Sequence, residues 1–252
     1  NGQYSCASCH QQDKAFSDGL PQAVGATQEK HTRNTMSLVN VAYNTSLTWA
    51  SNDILTLEDQ IRIPLFNREP VEMGLTDLEE KIMVLLRADE RYRSWFIQAF
   101  PADSEVFTID NIIKAIAAFV RTLISGDSIY DRLVYKYVRV EMSESAWRGM
   151  RLFYSEKTNC SQCHKGFNFS GPVNYRGAMD VEPGFHNTGL YSVNQHGAYP
   201  VSDQGLYSIT SSLGGMGKCR APSLRNIEYS APYMHDGSID TLEAVIDHYA
   251  TA

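Results

Sequence analysis

Two short runs dominate what this chain can become. Cys6-Ala7-Ser8-Cys9-His10 and Cys160-Ser161-Gln162-Cys163-His164 share the spacing C-x-x-C-H. In that pattern two thiols add across the vinyl groups of a porphyrin, and the histidine that follows is delivered to the iron as its proximal ligand. With five Cys and seven His in 252 residues, random placement gives about 0.003 such patterns, so two of them are a signal. A redox C-x-x-C pair and half of a zinc site are the competing readings. The trailing histidine in both copies and the wide separation of the pairs weigh against both. The chain is therefore expected to carry two covalently bound c-type haems, on Cys6, Cys9 and His10 and on Cys160, Cys163 and His164. Haem attachment follows export, so a periplasmic or otherwise extracytoplasmic location is expected. No signal peptide precedes Cys6, which is expected of a mature or trimmed form. The fifth cysteine, Cys219, reads as a buried inert thiol.

Charge narrows the partners. Lys and Arg total 22 against 29 Asp and Glu, a formal net charge of -7, and a field of that sign disfavours nucleic acid and anionic membranes. No apolar stretch reaches the length of a membrane span, because the best candidate, Ile112 to Val120, is interrupted by Lys114. The two motifs lie far apart, and each is followed by a long segment containing Gly, Asn and Pro. That organisation implies two haem domains, 1–135 and 136–252. Apolar residues at helical spacing predict helices over Asp77 to Arg87 and Asp110 to Ser125, the latter capped by Asp110, and over Ser143 to Phe153, which leads into the second motif. Gly166 to Gly217 holds ten of the seventeen glycines and three prolines, so it reads as loop with short strands at most. Near the end, Leu242, Val245, Ile246 and Tyr249 share one helical face, which turns Tyr249 inward and His248 toward solvent.

Beyond the motifs, the chain resembles the bacterial di-haem cytochrome c peroxidase and MauG superfamily. The resemblance rests on both C-x-x-C-H runs, on 34-NTMSLVNVAY-43, on 70-PVEMG-74, on 221-APSLRN-226 and on 231-APYMHDGS-238. Leu47-Thr48-Trp49-Ala50, Pro64-Leu65-Phe66 and the 70–74 run look most like the methanobactin-associated MauG-like branch, MbnH. The fold so implied is mainly α: two cytochrome c-like haem domains with long irregular loops.

The resemblance also assigns roles. The haem on His10 is high-spin and meets hydrogen peroxide, with Gln60, Pro64 and Glu72 matching the distal pocket. The Gln-to-Glu spacing is two residues longer than is usual in the family, which leaves Glu69 as a rival to Glu72. Trp49 matches, one residue offset, the tryptophan between the haems; without the family it reads equally as core packing. Asn40, with the backbone carbonyls of Ser230 and Pro232, matches the ligands of an inter-haem calcium ion, and such oxygen donors suit a hard cation. Tyr249 falls on the second far-side ligand of the haem on His164, a position that is methionine in the peroxidases and tyrosine in MauG. A phenolate oxygen favours the higher oxidation states of iron. The family's surface tryptophan two residues before the second motif is Thr158 here, leaving Trp95 and Trp147 as unplaced alternatives.

Three functions follow from these matches. The first is a periplasmic oxidase that uses peroxide, through a bis-Fe(IV)-type state, to oxidise a tryptophan of a partner protein (MbnP-like) to kynurenine. The second is a cytochrome c peroxidase fed electrons by a small redox protein, against which Tyr249 argues. The third is an electron carrier without catalysis.

Overall fold

The fold is that of a computed structural model, which describes residues 4–178, 181, 183–193 and 195–251. Its regular structure is mostly helical: α1 (Cys6–Cys9), α2 (Leu57–Phe66), α3 (Glu79–Ala88), α4 (Glu90–Ala99), α5 (Ile109–Val120), α6 (Ile129–Val134), α7 (Glu144–Phe153), α8 (Cys160–Cys163), α9 (Tyr207–Thr210) and α10 (Leu242–Thr251). Strands β1 (Phe185–Asn187) and β2 (Lys218–Arg220) form an antiparallel pair with His186 opposite Cys219. Loops joined by isolated backbone bridges fill the remainder.

The centre of the first half is α5. Its N-cap is Thr108, whose hydroxyl accepts the N–H of Asn111, and not Asp110 as the pattern suggests. Asp110 instead lies in the first turn, where its charge suits the helix dipole, and takes Arg62 of α2 at 2.6 Å. The helix also stops at Val120, so Leu123 lies beyond its end. Ile113, Ala117 and Val120 recur at i, i+4 and i+7 and are all buried, the stripe expected of a helix covered on one side. That face packs on Leu57 of α2 with Val41 and Leu47. At the other end, Arg121 holds Glu58 by two hydrogen bonds of 2.7 and 2.8 Å. Helix α2 is thereby pinned along its length. Met83 of α3, Phe96 of α4 and Phe107 make a second, smaller core in which the Phe96 and Phe107 rings stack at 5.1 Å.

The two halves are tied by polar contacts. Arg33 pairs with Asp203 at 2.8 Å, the Arg220 N–H donates to the Trp49 carbonyl at 2.7 Å, and Asn44 bridges Val173. The strongest tie is buried: Arg225 grips Asp131 through two hydrogen bonds of 2.7 and 2.8 Å, with the side chains 5% and 4% exposed.

Near the C-terminus the structure departs from the helical-face expectation. Within α10, Leu242 and Val245 are half-buried, whereas Ile246 and Tyr249 are 68% and 52% exposed. His248, expected in solvent, is half-buried, with Nε2 2.8 Å from the Thr188 carbonyl. The helix rests on protein along the line of Leu242, Val245 and His248, because the loop after β1 offers that carbonyl as a partner. Ile246 and Tyr249 are left on the adjacent face.

Candidate functional site

Both C-x-x-C-H runs adopt the same local structure. Each C-x-x-C is a single helical turn, and the backbone N–H of the following histidine closes it on the first cysteine, at 2.9 Å for His10 and 3.0 Å for His164. Each imidazole is held by a backbone carbonyl: Nδ1 lies 2.9 Å from the Phe16 carbonyl in the first and 2.9 Å from the Phe169 carbonyl in the second, where the Pro222 backbone adds a further interaction. Burial pushes both histidines below their ordinary value, against the upward pull of those carbonyls. A neutral ring that donates Nδ1–H to a carbonyl presents the Nε2 lone pair outward, the tautomer a metal requires. The four motif thiols are unpaired with one another, and no cluster of three or more His, Cys, Asp or Glu converges among the described residues. Paired thiols beside a buried imidazole held through Nδ1 fit a covalently attached haem in both places. Arg220 adds to that fit. Its guanidinium is buried, its pKa is pushed down to about 10 by desolvation, and its partners are the Thr48 and Ala221 carbonyls and the Met36 sulfur. A buried cation without a carboxylate is costly, and a haem propionate would answer it.

Helix α2 brings Gln60 and Pro64 to one face. Pro64 lies four residues after Gln60, so both share a side of the helix. Because proline has no N–H, the Gln60 carbonyl lacks its intrahelical partner. The Gln60 side-chain oxygen is also buried without a hydrogen-bond partner. Such an atom needs a guest that can donate to it, as a peroxide can.

Glu72 is held against this helix from both sides. The Met73 N–H donates to the Pro64 carbonyl at 2.9 Å, and the Glu72 carbonyl accepts the Ala26 N–H at 2.8 Å. Desolvation pushes the Glu72 carboxyl up to about 7, and its charge is felt by the Cys9 thiol. His31, with Nδ1 3.9 Å away, is itself pushed down by burial and gives little compensating charge. The rival, Glu69, is exposed. Gly25 makes the clamp possible, since a Cβ there would sit 1.8 Å from the Val71 carbonyl oxygen. Gly25→Ala is therefore expected to displace the Val71–Glu72 segment and break its bond to Ala26, read as faster amide hydrogen exchange at Ala26 and Met73.

Between the halves, the Trp49 indole N–H donates to the Asn34 carbonyl at 2.8 Å, and its ring lies 6.4 Å from His235. Against the downward push of burial, Asp203 and Cys219 raise His235 to about 9. Cys219 is buried, as expected. The side-chain amide of Asn40 is paired in both directions with the backbone of Ser125, at 2.8 Å each. Ser230 and Pro232 follow the short 3-10 turn Ile227–Tyr229, to whose first carbonyl the Ser230 hydroxyl donates at 3.2 Å. On α10, burial pushes Tyr249 above the usual phenol range, with Cys163 and Cys160 adding to the effect. Tyr249 therefore lies within electrostatic reach of the second pair of thiols. Thr158 donates to the Leu152 carbonyl. Trp95 is exposed beside Tyr92, and Trp147 is half-buried on α7.

Comparison with known proteins gives the family. A family profile described as di-haem cytochrome c peroxidase matches residues 1–138. The chain belongs to the di-haem cytochrome c peroxidase and MauG family. It is 31% identical over 249 residues to the methylamine utilization protein MauG of Methylorubrum extorquens, covering 99% of this chain and 64% of that protein. The MauG of Methylophilus methylotrophus is 32% identical over 250 residues, covering 99% and 67%. A crystal structure of a MauG-like protein associated with microbial copper homeostasis superposes with a TM-score of 0.94 at 44% identity, over 98% of this chain and 70% of that one. The chain thus spans about two thirds of the length of these curated relatives. No helix among the described residues is long and apolar enough to cross a membrane.

Sequence reasoning missed Arg220, Gly25, His31 and the Asp131–Arg225 pair. Arg220 stands immediately before the family run 221–226 and Arg225 lies within it, but neither position announces the role; Gly25, His31 and Asp131 lie outside the quoted runs.

Proposed function

We propose that this family member is a peroxide-dependent oxidase outside the cytoplasm that oxidises a tryptophan of a partner protein, MbnP-like, to kynurenine. The observation that carries the reading is Glu72, a carboxyl raised to about 7, clamped against the helix that bears Gln60 and Pro64. When bound, the two haems supply the iron that peroxide meets and a store for oxidising equivalents. Glu72 takes a proton from one peroxide oxygen and returns it to the other as the O–O bond breaks, the general acid–base role for which a pKa near the working pH is suited. Gln60 orients the peroxide through its side-chain amide, and Pro64 shapes the wall of the pocket. His10 and His164 would hold the irons, Tyr249 would serve the His164 side as a further ligand, and Trp49 would carry electrons between the sites. A calcium ion on Asn40 Oδ1 and the carbonyls of Ser230 and Pro232 belongs to the same proposal; Asn40 Oδ1 has one lone pair beyond its bond to Ser125.

The test is to incubate the haem-loaded protein with hydrogen peroxide and the partner and to read the partner's tryptophans by mass spectrometry. Conversion to kynurenine supports the assignment. Peroxide consumption that depends on an added small electron-donor protein, with the partner unchanged, moves the chain to the peroxidases. Trp49→Phe is expected to leave peroxide consumption intact while the ferric EPR signal from the His164 haem persists after peroxide is added.

A further inference from the structure

The route by which oxidising equivalents leave the His164 side is not supplied by Thr158, which has no redox chemistry. A different set of side chains connects that site to solvent. His164 donates to the carbonyl of Phe169. The Phe169 ring lies 4.9 Å from Tyr130 and 6.0 Å from Phe153, centroid to centroid. The hydroxyls of Tyr130 and Tyr154 are 2.6 Å apart, and Tyr135 packs on Tyr130 at 6.0 Å. Tyr154 and Tyr135 are exposed, whereas Tyr130 is half-buried. An unbroken chain of contacts thus runs from the proximal histidine to two phenols at the surface.

We propose that Tyr130 and Tyr154 form the exit through which oxidising equivalents pass from the His164 side to the protein surface. This rests on the peroxide-oxidase reading above. An electron leaves Tyr130 toward His164 through Phe169, while the phenolic proton passes along the short O···O contact to Tyr154, whose own proton goes to water. Tyr154 then reduces Tyr130 by the same coupled transfer, which carries the radical outward. For two equivalents the balance is H2O2 + 2 Tyr–OH → 2 Tyr–O• + 2 H2O, and two electrons with two protons from the substrate residue restore the phenols; two such rounds, with water supplying the added oxygen, meet the four-electron demand of tryptophan going to N-formylkynurenine, which hydrolyses to kynurenine and formate. Burial and the bond to Tyr154 push the Tyr130 phenol up to about 12, so at neutral pH its proton leaves only with the electron. Arg225, paired with Asp131, lies 5.7 Å over the Phe169 ring and fixes it between histidine and tyrosine.

The experiment uses the haem-loaded protein, peroxide and no partner, with freeze-quenched EPR and optical spectra recorded together. A tyrosyl signal that narrows on incorporation of ring-deuterated tyrosine is expected. In the double variant Y130F/Y154F it is lost, with the initial optical response of the haems unchanged. Placing 3-fluorotyrosine at position 154 leaves the packing nearly untouched and is expected to add a fluorine splitting. A tyrosyl signal of full intensity in the double variant, or none in the parent while the haems respond to peroxide, overturns the exit and leaves the oxidase reading standing. Haems that do not respond to peroxide at all overturn both.

Discussion

Glu72→Gln is expected to lower the rate of reaction with peroxide by about 10²–10⁴-fold, the usual cost of removing a general acid–base group. Glutamine keeps the shape of the side chain and its place between Ala26 and Pro64, so the fold and haem content are expected to be unchanged. What is lost is a group able to hold a proton and give it back. The pH profile separates this from a positional effect. Glu72 is raised to about 7 by desolvation, and only its ionised form can accept the first proton. The rate in the parent protein is therefore expected to climb through about pH 7 and level off above it, whereas the residual rate of Glu72→Gln shows no such rise. A variant with a normal rate, or one that keeps the inflexion, places the base elsewhere. His31 faces the same carboxylate but is pushed down by burial. It is neutral across the upper part of that range and does not generate the rise.

The second large effect lies away from the chemistry. Asp131→Ala leaves the Arg225 guanidinium buried and unpaired, for which the expected loss of stability is about 3–5 kcal/mol, read as a shift of the denaturant midpoint in the haem-loaded protein. The Arg225 hydrogen bonds hold Asp131 down to about 2. Its stabilising effect is therefore complete above the ordinary aspartate value of about 4 and is lost as pH falls through about 2. The variant and the parent are expected to converge in stability across that acid window. Replacing both partners by apolar residues of similar volume, Asp131→Leu with Arg225→Met, is expected to recover most of the loss; if it does not, the pair acts through more than its charges. The damage is expected to reach the second haem, because Arg225 also donates to the Phe167 carbonyl at 2.9 Å, two residues before the carbonyl that orients His164. Broadened spectra at that haem, with the first unchanged, would register it.

The parts of this site written as local patterns were legible in the sequence. C-x-x-C-H dictates a single helical turn with a histidine at its end, and both copies form it. Ser143 caps α7 by accepting the N–H of Ala146, as its position before the apolar run suggests. Asp110 shows the limit of such patterns: Thr108, two residues earlier, offers a hydroxyl of the right reach, and the cap moves to it. His248 departs from expectation for a related reason. A helical wheel tells which residues share a face but not what covers it, and the Thr188 carbonyl decided the matter. Contacts between residues distant in the chain left no trace. Asp131 and Arg225 are 94 positions apart, and nothing in either neighbourhood announces the other. Gly25 likewise shows its purpose only once the Val71 carbonyl lies against it.

One measurement bears most directly on the central claim that the ferric protein reacts with peroxide without a prior reduction step and shares the oxidation across both sites. Stoichiometric hydrogen peroxide is added to the diferric protein, and EPR and near-infrared spectra are recorded together. The account predicts loss of both ferric signals and a new near-infrared band. A ferric signal that persists at the His164 haem, with turnover beginning only after one-electron reduction, would contradict it.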